Sequence, residues 1–234
     1  MSDKLKEDLI MEVSSINIEN EKSLHAGLKR WYSKAGDRFE VKVDGCIIDI
    51  LRDDLLIEIQ TKNFSAISNK LRKLVKNHKV RLIYPIPAKK YIVTIDEKKT
   101  VRRKSPKKGS IYDVFKELIR ITDLIANENF EAEILLIEEE EIRVNDGKGS
   151  WRRKGISIDD RKLVNVRESI ILCGKDNYKN LLPLDLGEPF TNKSLSKKLK
   201  ISISNAQKMT YCLRKAGVLH ILGKNGNELL FELD

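Results

Sequence analysis

The stretch RFEVKVDGCIIDILRDDLLIEIQTK, residues 38–62, decides the fold. Arg38–Val43 alternates apolar and polar side chains, Asp44-Gly45 supplies a turn, and Cys46–Leu51 is a second apolar run. Arg52-Asp53-Asp54 turns the chain again into Leu55–Thr61. Short alternating runs bounded by turn residues read as strands, and connections this tight make an antiparallel meander. Upstream, in residues 19–36, Leu24, Leu28 and Trp31 or Tyr32 recur at spacings of three and four, an amphipathic helix that Gly36 can end. Downstream, Phe64–Lys76 repeats the helical spacing through Ile67, Leu71, Leu74 and Val75, and Val80–Tyr84 is a short apolar strand expected to stop at Pro85 and Pro87. A return through a helix predicts that this fourth strand joins in parallel. The class is α/β (α+β), with a core of helix, three-strand meander, helix and strand over residues 1–97.

Two carboxylates interrupt the apolar strands: Asp49 in CIIDIL and Glu58 in LLIEIQTK. Alternation puts Glu58, Gln60 and Lys62 on one face and Ile57, Ile59 and Thr61 on the other. A carboxylate in an apolar strand costs roughly several kcal/mol to bury unless it is paired or bound to a cation. Two of them on successive strands suggest a shared hard cation, which takes oxygen ligands and can activate water against a phosphodiester. Gln60 or Lys62 would then stand beside that water or the scissile phosphate. The competing reading pairs the two carboxylates with Lys29, Arg30 or Lys62. His25 reads as a structural helix residue, and His78 and His220 join no constellation. The run Glu138–Glu141 reads as a solvated strand edge or turn. No phosphate-binding loop motif occurs, so ATP hydrolysis is not expected.

Asp49 on one strand and Glu58-Ile59-Gln60 on the next, in that order of elements over about residues 19–95, resemble the PD-(D/E)xK (restriction-endonuclease-like) nuclease superfamily. The resemblance implies that Asp49 and Glu58 bind Mg²⁺ (or Mn²⁺), with the Ile59 carbonyl as a further ligand. It also implies that Gln60, where that family usually has lysine, positions water and phosphate, or that Lys62 on the same face supplies the charge. Some members carry another acid on the first helix, a part open here to Glu21 and, second, to Glu40. Ile48 stands where a proline is common. The departure at Gln60 keeps a second reading open, a catalytically inactive nuclease-like DNA-binding regulator.

The chain has 234 residues and a net charge of +10, and roughly 150 residues per domain makes it one large domain or two smaller ones. A basic balance points to an anionic partner, DNA first, double-stranded by expectation. Residues 98–110 hold seven basic and no acidic side chains and read as an exposed loop, with Arg102, Arg103, Lys104, Lys107 and Lys108 as phosphate contacts. Ile111–Ala126 reads as helix and Glu131–Val144 as one or two strands. Residues 145–155 form a Gly-rich basic loop in which Arg152 and Arg153 face phosphate, and Trp151 either packs or stacks on a base. Residues 98–158 thus make a mixed α/β middle region. Asp159–Cys173 and Asn177–Leu182 read as mostly helical, a lead-in to the last unit, 159–234. There, helix Ser194–Leu199, helix Ser204–Ala216 and a hairpin turning at Asn225-Gly226 have the layout of a winged helix-turn-helix. Its second helix would present Ser204, Asn205, Gln207 and Lys208 to bases, and Lys224 would lie at the wing tip.

Cys46, Cys173 and Cys212 are too dispersed for a disulfide framework or a zinc site, which suits a reducing cytoplasm, expected to be prokaryotic. No apolar run approaches the roughly 20 residues that cross a bilayer, and the first residues lack the apolar segment of a signal peptide. The sequence therefore predicts a Mg²⁺-dependent DNA endonuclease with a DNA-binding C-terminal module, in restriction, repair or a mobile element. Cutting both strands with one site per chain calls for a homodimer.

Overall fold

A seven-stranded mixed sheet organises residues 23–96 and 99–234, which the structure, a computed structural model, describes. Helix α1 (Ser23–Tyr32) precedes the meander β1 (Arg38–Val43), β2 (Cys46–Arg52) and β3 (Leu55–Ile59). A short 3₁₀ turn and helix α2 (Ser68–Leu74) lead into β4 (Lys79–Asp96), which lies parallel to β3 with Leu55 opposite Lys79 and Ile59 opposite Ile83. The expected order of elements and the parallel fourth strand are both present.

Three strands of the remainder depart from expectation. β4 does not stop at Pro85 and Pro87 but runs through them for 18 residues. The Ile83 carbonyl accepts the Gln60 N–H at 2.9 Å, so every second residue after it faces the β3 side. β3 ends at Ile59, and the missing proline N–H groups fall where that neighbour has already left. The Pro87 carbonyl on this side is taken by the Gly109 N–H at 2.9 Å, and a side chain at Gly109 would meet Ile86 at 2.6 Å. Second, Lys99–Lys104 is no loop but strand β5, fully exposed and antiparallel to the end of β4. Third, Asp159–Cys173 is not helical. Ile156–Leu172 is strand β7, antiparallel to β6 (Phe130–Asn145), which pairs in parallel with β4. Register shifts at Leu136/Ile137, Glu138/Glu139 and Ile142/Arg143 break the two-residue alternation that would have marked these strands.

Both faces of the sheet are covered. Leu24, Leu28 and Tyr32 of α1 pack on Ile50, Ile57, Ile59, Ile83, Leu135 and Ile137. The opposite face holds α2, the helical segment around α3 (Phe115–Leu118) and the C-terminal elements in one larger apolar cluster. Those elements are α4 (Gly174–Lys179), α5 (Asn192–Leu199), α6 (Ile203–Lys215) and the hairpin β8 (Leu219–Asn225) and β9 (Glu228–Leu233). Thr191 caps α5 through the Ser194 N–H, and Ser202 caps α6 through the Asn205 N–H. Among the described residues no helix is long and apolar enough to cross a membrane.

The acidic run is not a solvated edge. Glu138–Glu141 lies in β6, between β4 and β7. Glu138 pairs with Lys89 and Arg167, Glu139 with Lys90, Glu140 with Arg102, and Glu141 with Lys90, Arg143 and Arg161.

Candidate metal centre

The antiparallel register that sets Ile50 opposite Ile57 brings Asp49 beside Glu58 at the carboxyl end of β3, where β3 and β4 part. Ligands of open α/β sheets gather at such ends. The Ile59 N–H donates to Asp49 Oδ2 at 2.8 Å, which fixes that carboxylate against the next strand. From α1, His25 Nε2 lies 3.3 Å from the same oxygen and 3.0 Å from the Ile59 carbonyl. A carbonyl only accepts, so Nε2 carries a hydrogen. Lys29, one turn further along α1, donates to Glu40 Oε1 at 2.6 Å and lies 3.9 Å from Asp49 Oδ1. Burial pushes the Asp49 carboxyl up, but His25, the Ile59 N–H and Lys29 together hold it below its usual value.

Glu58 behaves oppositely. Its side chain is only 6% exposed, and burial first, the Asp49 charge second, raise its carboxyl to about 7. Lys70 of α2 opposes the rise from 2.5 Å, and the same ammonium donates to the Ile47 carbonyl. Glu58 Oε1 is therefore a buried carboxylate oxygen whose charge partner is the Lys70 ammonium. A buried carboxylate next to an ionised aspartate and a backbone carbonyl is a hard-oxygen donor set. It fits Mg²⁺ or Mn²⁺, which take one or two carboxylates and complete their shell with water. Among the described residues no three His, Cys, Asp or Glu side chains converge to hold a metal.

The other residues named from the sequence fall differently. Gln60 Nε2 donates to the Lys62 carbonyl at 2.5 Å and the Asn63 carbonyl at 3.2 Å, which turns the amide into the 60–63 bend. Lys62 is exposed, and the ammonium that touches Glu58 is that of Lys70. Glu21 lies outside the described residues, and Glu40 faces Lys29. Arg102, Arg103 and Lys104 are exposed on β5, with Arg102 also stacked 3.7 Å over Tyr91, and Lys107 and Lys108 are exposed beyond it. Arg152 is exposed, whereas Arg153 folds back to donate to the Ile156 carbonyl at 3.1 Å. Ser204, Gln207 and Lys224 are exposed and Lys208 is half-buried. Asn205 cannot read bases: it is buried, and its Nδ2 donates to the Tyr112 carbonyl at 2.9 Å, because that face of α6 packs on the segment before α3.

Sequence reasoning missed two participants. Lys70 follows no strand pattern and reaches Glu58 only through the fold. His25 carried one signal, its four-residue spacing from Lys29, which puts an imidazole and a buried ammonium on one helix face.

The family described as "Domain of unknown function (DUF8091)" matches residues 22–173. The chain belongs to that family. The matched span contains Asp49, Glu58, His25, Lys29 and Lys70 and ends one residue after β7. An uncharacterized protein of Treponema pallidum (strain Nichols) is 38% identical over 179 residues, covering 75% of this chain and 71% of the relative. No solved structure matches.

Proposed function

We propose that the chain is a Mg²⁺-dependent (or Mn²⁺-dependent) DNA endonuclease whose restriction-endonuclease-like core hydrolyses phosphodiester bonds and whose C-terminal helices and hairpin are a winged-helix DNA-binding unit. The observation that carries this reading is a pair of neighbouring carboxylates, Glu58 buried and Asp49 held ionised, at the end of two parallel strands. Asp49, Glu58 and the Ile59 carbonyl hold the cation, which when bound polarises the phosphate and lowers the pKa of an attacking water. The His25 Nε2–H keeps the Asp49 carboxylate and the Ile59 carbonyl in a common orientation. Lys70 takes the part that the sequence assigned to Gln60 or Lys62: its ammonium is next to Glu58 and offsets charge where an anionic substrate meets two carboxylates. The substrate is double-stranded DNA, and one site per chain makes two copies the expectation for cutting both strands.

A second reading has its own observation. His25, Lys29 and Lys70 already balance the two carboxylates, and Gln60 is engaged in a turn, as in an inactive regulator that binds DNA without cutting it. Incubation of the purified protein with supercoiled and linear DNA, with and without Mg²⁺ or Mn²⁺, separates the two. The nuclease reading expects metal-dependent cleavage that Asp49→Ala and Glu58→Ala reduce to background. Lys70→Met is expected to slow it about 10²- to 10³-fold at unchanged DNA affinity. Binding without any metal-dependent cutting in the wild type would favour the regulator.

A further inference from the structure

Strands β4, β6 and β7 continue past the end of β3, with α1 lying on β7 as far as Asp160, whose carboxylate accepts the Ser23 hydroxyl at 2.5 Å. Ile142 of β6 faces Asp160 of β7, and this ribbon ends a few residues beyond. Its tip is the loop NDGKGSWRRKG, residues 145–155.

This loop is built, not slack. The Gly149 N–H donates to the Gly155 carbonyl at 2.7 Å, and the Arg153 N–H to the Ser150 carbonyl at 2.9 Å. Asp146 accepts the Lys148 N–H at 3.0 Å and the Ser157 hydroxyl at 2.9 Å. A side chain at Gly149 would meet the Ile156 carbonyl oxygen at 1.9 Å, so the turn closes only around glycine. Its product is an indole held in solvent: Trp151 is 83% exposed. Packing is therefore not its role, and a large apolar ring would ordinarily be buried. Around it Lys148, Arg152 and Lys154 are exposed, with the Arg152 guanidinium 5.5 Å from the ring centre.

We propose that Trp151 is a base-stacking finger that takes an unpaired or displaced base of a nucleic acid while Lys148, Arg152 and Lys154 hold the flanking phosphates. The inference rests on the nucleic-acid partner proposed above but not on cleavage. An anionic membrane would use the same charges, yet the loop holds no second large apolar side chain to enter the acyl region. Stacking needs one flat ring and nearby cations.

The test uses Trp31→Phe protein, in which Trp151 is the remaining tryptophan of the two. Single-stranded oligonucleotide and gapped duplex are expected to quench its emission more than intact duplex does. In the wild-type background, Trp151→Ala is expected to weaken binding of single-stranded and gapped DNA about 5- to 150-fold, the worth of one stacked base, with Trp151→Phe largely restoring it. Intact duplex should bind Trp151→Ala within about 2-fold of wild type and with the same salt slope, because its phosphate contacts remain. Labelled DNA that binds by anisotropy without quenching overturns the finger and leaves the nucleic-acid partner standing. Absence of DNA binding at low salt overturns both. A blue shift on phosphatidylserine–phosphatidylcholine vesicles without quenching by DNA overturns it in favour of a membrane.

Discussion

A glutamate buried beside an ionised aspartate, as Glu58 is, keeps its proton to about pH 7, whereas the same group in an open chain titrates near 4.5. Between those values the folded state binds more protons than the unfolded one, so this residue makes stability fall as pH rises through the window. At about 1.4 kcal/mol per unit the contribution reaches up to about 3 kcal/mol. Asp49, held low, acts with the opposite sign and only at acid pH. Glu58→Gln keeps the shape and removes the titration. Urea unfolding at about pH 5 and about pH 8 should show a decline in the wild type that E58Q lacks, and an equal decline in both would place the titration elsewhere. On the proposed metal site a cation would compete with the Glu58 proton, so Mg²⁺ would raise the melting temperature increasingly over the same window in the wild type and not in E58Q.

Strand β6 carries four consecutive glutamates through the middle of a sheet, and cations on its neighbours make that possible. Lys90 of β4 lies 2.8 Å from Glu139 and 2.9 Å from Glu141, both carboxylates only 3% exposed. Glu141 also has Arg143 at 2.6 Å and Arg161 at 3.7 Å. Lys90→Met would leave Glu139 facing no ammonium, and stranding a buried charge costs about 3–5 kcal/mol. Adding Glu139→Leu should restore most of it in urea unfolding, and a loss below about 1 kcal/mol in the single variant would sink the idea. This strand also marks where the sequence stops being legible. The meander around Asp44-Gly45 and the two helices beside it were readable because alternation and helical spacing are local. β7 was mistaken for helix because its bulged pairing with β6 erases the alternation, and Pro85 and Pro87 misled because their tolerance depends on where β3 ends. In the candidate site, Asp49 and Glu58 stood out as charges among apolar neighbours. Lys70 did not, since only the packing of α2 against β2 and β3 brings it there.

The family match ends at Cys173, but the apolar core does not. Phe115, Leu118, Ile121 and Ile125 share one cluster with Tyr178, Ala206, Met209, Leu213 and Phe231, and Asn205 adds a buried hydrogen bond to the Tyr112 carbonyl. Apolar surface is worth roughly 25 cal/mol per Å² when buried, so a shared cluster of this kind couples the sheet to the C-terminal elements. Two units with separate cores would melt separately. A shared core predicts one transition, with calorimetric and van't Hoff enthalpies that agree. The chain ended at Cys173 exposes Phe115 and its neighbours, and should melt well below the full chain or fail to fold, read by calorimetry and by dye binding to exposed apolar surface. Two resolved transitions in the full chain, or a shortened chain as stable as the whole, would mean that α6 only rests against α3. On the proposed function, a C-terminal unit that binds DNA and the Asp49–Glu58 end of the sheet would belong to one cooperative body, with no linker between separate cores.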